Sequence, residues 1–131
     1  MNTAKKQIFC LHLDSEDATR DFVRICLSRK FERGDYLRSV PSITVAEEIV
    51  KNEKPEFMIL NGPGSFEFLN KLRAGVYGEE LISTPVIAFT AYAMLGDREK
   101  FLKAGFDAYL PMPASIEQIT NIIKEVVPSA N

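Results

Sequence analysis

Two short, wholly apolar runs constrain this chain most: Phe57-Met58-Ile59-Leu60 and Pro85-Val86-Ile87-Ala88-Phe89. Each is strand-length and has no polar alternation. A strand of that kind is covered on both faces, which is the habit of a parallel sheet between helical layers. The rest of the chain agrees. Ile8 to Leu13 is a third short apolar run, interrupted by His12 and ending at Asp14. Ser15-Glu16-Asp17 then offers a cap and first-turn acids, and Phe22, Val23, Cys26 and Leu27 follow at helical spacing.

Gly34-Asp35 breaks that helix, and Tyr36 to Val40 reads as a strand. Val45, Ile49 and Val50 mark a short helix that closes at Lys51 to Pro55. After Leu60, Asn61-Gly62-Pro63-Gly64 cannot extend a strand and reads as a sharp loop. Ser65 is the expected cap of a helix carrying Phe66, Phe68, Leu69 and Leu72, and Gly75 to Thr84 reads as a loop. Leu95 to Ala104 is a charged helix stopped by Gly105; Ala108-Tyr109-Leu110 is a short strand. Ser115 caps a final helix through Val126, its Ile116, Ile119, Ile122 and Ile123 facing a core and Glu117, Gln118, Lys124 and Glu125 facing water. Strand and helix thus alternate five times, which predicts an α/β, three-layer, doubly wound (βα)5 sheet with right-handed crossovers. We expect one domain over residues 1–131, with its core at about 7–127. In such sheets chemistry gathers past the carboxyl ends of the strands. Those positions are Asp14, Ser15, Asn61, Thr90 and Met112.

Composition removes several functions. The formal net charge is −2 and both signs are dispersed, so nothing favours nucleic acid or an anionic membrane. No apolar run approaches a membrane span, and the N-terminal Met1 to Gln7 lacks the long apolar core of a signal peptide. The chain is expected in the cytosol, with Cys10 and Cys26 reduced and buried. Two cysteines and one histidine make no convincing zinc site. No Gly-x-Gly-x-x-Gly follows the first strand, which argues against a dinucleotide fold.

Val86-Ile87-Ala88-Phe89-Thr90-Ala91-Tyr92-Ala93, then Ala104-Gly105-Phe106-Asp107-Ala108-Tyr109-Leu110, resembles the receiver domains of response regulators in two-component (phosphorelay) signalling. Lys54-Pro55-Glu56 looks like that family's entry to the third strand, and Leu13-Asp14-Ser15-Glu16-Asp17 like the end of its first. Pro85 to Pro113 is the specific part of a likeness that runs in order along almost the whole chain. It implies a flavodoxin-like parallel sheet of five strands in the order 2-1-3-4-5.

The family's reaction uses an aspartate nucleophile, two acids that hold magnesium, a hydroxyl and a lysine. By resemblance the first acid falls on Asp14 and the second on Ser15. The nucleophile falls on Asn61, the hydroxyl on Thr90, and the lysine on Met112 ahead of Pro113. An amide is uncharged and a poor nucleophile, so Asn61 should not form an acyl phosphate. Asp14 alone is a weak candidate metal ligand, and magnesium should bind weakly or not at all. With the acids gone, a lysine would lack partners, and methionine fills similar length without charge. The loop after Asn61 is also shorter than the family's. A register two residues earlier would put His12 and Leu13 at the acid positions; the acid pair is incomplete either way.

Thr90 and the aromatic Tyr109 match the family's switch pair. They are retained for packing alone, or they hold one fixed state or respond to a partner rather than to phosphate. His12 is a strand residue with a satisfied imidazole, or else a phosphoacceptor or ligand. Asn61-Gly62 is prone to deamidation, which we regard as incidental. The resulting expectation is a degenerate pseudo-receiver, not an enzyme and without a cofactor. It would act by protein–protein contact with a histidine kinase, an output domain or another signalling protein, through the family's α4-β5-α5 face. The alternatives are a phosphoacceptor using another residue and a small flavodoxin-like nucleotide-binding protein.

Overall fold

The structure is a computed structural model and describes residues 7–92 and 94–127. The expectations that touch the first six residues, Ala93 and the last four residues lie outside it. The elements are β1 (Phe9–Leu13), α1 (Asp17–Ser28), β2 (Tyr36–Val40), α2 (Ile43–Asn52), β3 (Phe57–Leu60), α3 (Ser65–Arg73), a 3₁₀ turn (Glu79–Leu81), β4 (Val86–Thr90), α4 (Asp97–Ala104), β5 (Ala108–Pro111) and α5 (Ile116–Val126). All pairings are parallel and the strand order is β2-β1-β3-β4-β5, as the alternation and the family likeness imply.

The apolar runs are buried because the sheet is covered twice. Phe9, Leu11, Leu13, Met58, Leu60, Val86 and Ala88 pack with residues of α2, α3 and α4. Their strand neighbours Cys10, Phe57, Ile59, Ile87 and Phe89 pack with α1 and α5. Ile119 and Ile123 of α5 are buried, and Cys10 and Cys26 are free and buried. Each fully buried Phe or Leu contributes about 1.5–3 kcal/mol of transfer free energy, so the two clusters dominate the stability.

Three details depart from the expectations. Ser65 is not the cap of α3. Gly64 holds that position in a left-handed conformation (φ 85°), and a Cβ there would lie 3.0 Å from Ile43 Cγ1. Ser65 becomes the first helical residue, and its buried Oγ has no hydrogen-bond partner among the described residues. The loop before β4 contains the 3₁₀ turn. Helix α4 begins at Asp97, two residues after Leu95, because Gly96 takes a left-handed conformation and the Asp97 carboxylate accepts the Met94 N–H at 2.8 Å. Ser115 does cap α5, in a reciprocal arrangement with Gln118.

Carboxylates fasten the amino edge of the sheet. Asp35 accepts the Ile8 N–H, Glu56 that of Phe9, and Asp107 that of Val86. Arg73, at the end of α3, donates to the carbonyls of Ile82, Thr84 and Gly105 and to the Asp107 carboxylate, all within 2.9 Å. One guanidinium therefore ties α3 to the segments entering β4 and β5. Lysine cannot present this fork. Arg73→Lys should lower the urea midpoint by the equivalent of about 2 kcal/mol with an unchanged slope; an unchanged midpoint would show that the clamp is dispensable.

Candidate functional site

β1 and β3 are adjacent and in parallel register, with Leu13 opposite Leu60. The Asn61 N–H continues the ladder to the Leu13 carbonyl at 2.9 Å. This places the next residue of each chain segment, Asp14 and Asn61, side by side at the carboxyl edge. Asp14 is 1% exposed. Its Oδ2 accepts from Asn61 Nδ2 at 3.0 Å, and its Oδ1 accepts from the Glu16 N–H at 2.9 Å. Its backbone is fixed as well: the N–H donates to Val40 O, and the carbonyl accepts from Arg20. Arg20 also pairs with Asp17.

Ser15 is exposed and joins none of these contacts. Among the described residues no group of three His, Cys, Asp or Glu side chains converges as a metal site. Ser15 and Glu16 supply no side-chain cap to α1; the Asp14 carboxylate receives the Glu16 N–H instead.

Thr90 and Tyr109 meet, but around a third residue. Thr90 is 2% exposed, and its Oγ1 accepts the Tyr92 N–H at 3.1 Å. Tyr109 is 9% exposed, its ring 5.3 Å from that of Phe101, and its hydroxyl donates to the Tyr92 carbonyl. Both polar groups of the Tyr92 peptide backbone are thus held by the switch-pair positions. Burial raises the Tyr109 phenol above its ordinary range, with the Asp97 charge adding to it, so the hydroxyl remains a donor. Tyr92 was legible as part of a likeness, but its role was not: the contact depends on how the loop after β4 turns back.

Met112 takes no part in the Asp14–Asn61 hydrogen bond. Its N–H donates to the Thr90 carbonyl at 2.7 Å, while its side chain packs on the α1/α5 side of the sheet. With Ala18, Phe22, Phe89 and Pro113 it lines a small apolar cavity of about 270 Å³. The sequence positions therefore form three groups: Asp14 with Asn61, Thr90 with Tyr109 around Tyr92, and Met112 in an apolar niche.

His12 lies on the α1/α5 face of β1 and is fully buried. Its Nδ1 contacts Ser39 Oγ at 3.2 Å, but Nε2 has no partner among the described residues. The expectation of a satisfied imidazole is only half met. Burial lowers its pKa to about 4, against the opposing pull of Asp14 and with a small push from Arg20.

No protein-family model matches the chain. It is 28% identical over 123 residues to an uncharacterised 14.6 kDa protein of Leptolyngbya boryana, covering 91% of this chain and 89% of that one. It is 29% identical over 121 residues to the probable transcriptional regulator ycf29 of Cyanophora paradoxa, covering 89% of this chain and 55% of that protein. Over 52 residues it is 42% identical to the polar-differentiation response regulator DivK of Brucella ovis, covering 40% of this chain and 42% of DivK. The match to ycf29 thus spans about half of that protein, and the match to DivK less than half. In structure it is similar to the receiver domain of the sensor histidine kinase PA1611 of Pseudomonas aeruginosa, with TM-score 0.78 and 20% identity over 94% of this chain and 99% of that one. A response regulator of Chloroflexus aurantiacus superposes with TM-score 0.77 at 20% identity, over 94% and 99% of the two chains. The fold is the receiver fold.

The buried, half-partnered His12 makes stability pH-dependent with a definite sign. Above pH 6.5 the imidazole is neutral folded or unfolded. Between 6.5 and about 4 the unfolded chain takes a proton that the folded chain refuses, so stability falls with pH and then levels off. Over that window the wild type should lose about 3 kcal/mol more than His12→Gln. Parallel pH profiles in chemical denaturation would contradict it.

Proposed function

We propose that this chain, which has the receiver fold, is a receiver-type domain of two-component signalling that acts through protein contact without phosphorylation at Asn61. The observation that carries this reading is the Asn61–Asp14 hydrogen bond. A phosphoaccepting carboxylate must be free and charged beside a cation. Here the position is an amide, and its N–H is spent on the neighbouring acid. The Asp14 oxygens are both engaged by protein donors.

Magnesium fits this donor set poorly. A hard divalent cation needs several oxygen ligands, and the site offers one carboxylate, each of whose oxygens already accepts a hydrogen bond. Bringing the cation in would leave the Asn61 N–H facing it, like charge to partial charge. Met112 supports the same reading, because an ammonium at that position would enter a niche lined by Phe22, Phe89 and Pro113. The double hold on Tyr92 favours the fixed-state reading of Thr90 and Tyr109 over packing alone. The activity of the domain is then set by which partner meets it. We place it in the cytosol, where Cys10 and Cys26 stay reduced, and we expect its partners to be kinases, output domains or other signalling proteins.

The α4-β5-α5 face gains no support as the partner surface. The large apolar side chains exposed among the described residues lie elsewhere, and α4 presents Arg98, Glu99, Lys100 and Lys103 to solvent.

Incubation with magnesium and a small acyl-phosphate donor, followed by intact mass measurement, should add no phosphoryl group to the wild type. Asn61→Asp should also stay unlabelled. It places a second buried carboxylate against Asp14 without the rest of the cation site, and one of the pair is driven to protonate. Labelling should need Ser15→Asp and Met112→Lys in addition. A wild-type chain phosphorylated on a single carboxylate would end the reading, and efficient labelling of the single mutant would show that the other positions matter little.

A further inference from the structure

The chain's most conspicuous exposed apolar residues stand together in sequence on the β4–α4 loop. Tyr92 is 68% exposed, Met94 78%, and Leu95 fully. Apolar side chains are left in water singly on any protein, but a group of this size marks an interaction site. Beside the loop runs a groove of about 690 Å³, between the start of α3 and the start of α4. Pro63, Phe66, Tyr92 and Phe101 line it, with Glu67, Asp97 and Lys100 at its rim. The short connection after Asn61 forms one wall of the groove, through Gly62, Pro63 and Gly64.

The loop is anchored at its described residues. Its first turn is held by Thr90 Oγ1 and the Tyr109 hydroxyl on Tyr92, and its end by the Asp97 carboxylate on the Met94 N–H. These contacts use backbone groups only and leave the side chains of Tyr92, Met94 and Leu95 outward.

We propose that this loop and groove dock a short linear segment of a partner protein, carrying two apolar side chains and a basic residue. Size selects a segment over a second folded copy. Three side chains of this kind offer on the order of 400 Å², about half of the ~800 Å² each partner contributes to a standard interface. A groove of this volume is within the range of clefts that enclose a small ligand or a few side chains. Charge selects the basic residue. Two carboxylates stand at the rim against one ammonium, and Lys100 already lies over the Phe66 ring at 5.9 Å. This inference rests on the contact-signalling reading and names the surface that reading lacks.

The test is selection of a random twelve-residue peptide library displayed on phage against the full chain, with the Leu95→Asp chain as counter-selection. Leu95 is fully exposed, so this variant should fold, and an unchanged thermal midpoint verifies it. Selected peptides should share two apolar residues and a Lys or Arg. Synthetic copies should bind the wild type and lose about tenfold or more in affinity against Leu95→Asp. Glu67→Gln should weaken them severalfold, and added salt should do the same. Amide shifts on peptide addition should centre on Gly62, Phe66, Tyr92 and Lys100. Peptides that bind both chains equally, or that map to the α4-β5-α5 face, would overturn the inference and leave contact signalling standing. A concentration-dependent dimer in sedimentation that Leu95→Asp abolishes would assign the surface to a second copy and overturn it as well. Phosphorylation of the wild type by the acyl-phosphate donor would instead remove the reading beneath it.

Discussion

A buried carboxylate has to be answered by donors, and the answer given to Asp14 decides what the carboxyl edge of this sheet can do. The parallel ladder between β1 and β3 carries Asp14 and Asn61 to the same place whatever their side chains are. With an acid at both positions the edge would hold two negative charges in need of a cation. With an amide at one, the second residue satisfies the first. Both oxygens of the buried acid then have protein donors, and no cation is needed to supply them.

The same logic runs through the pair Thr90 and Tyr109. A hydroxyl and an aromatic at these positions need not respond to phosphate to be useful. Here each takes one side of the Tyr92 peptide group, and the loop that follows exposes three large apolar side chains. In the proposed reading the two residues brace a surface and do not report a transferred group. On that reading the Asp14–Asn61 pair and the braced loop belong to one design, in which the output state is held by protein hydrogen bonds.

The fold was legible because it depends on signals that are local and redundant. Wholly apolar runs, helical spacing and glycine stops repeat five times, and each places an element within a residue or two. The misjudged boundaries were those set by tertiary contact: Gly64 displaces Ser65 as the cap because the loop packs on Ile43, and α4 waits for Gly96 and Asp97. At the site, the positions of Asp14, Asn61, Thr90 and Met112 at the strand ends were readable, and so was the missing charge. What no local pattern carried was pairing. The Asn61–Asp14 bond, the hold on Tyr92, the Arg73 clamp and the half-satisfied His12 each join residues far apart in sequence, and only the register of the sheet brings them together.

The closed state of Asp14 is the centre of this account, and the Asn61 side-chain amide reports it directly. In nitrogen-edited NMR its NH₂ resonances should be protected from exchange with water and should not move as magnesium is raised through the millimolar range. Saturable shifts of those resonances and of the Asp14 and Glu16 amides would mean that a cation can open the pair, and that the pocket has kept the charge chemistry assigned here as lost.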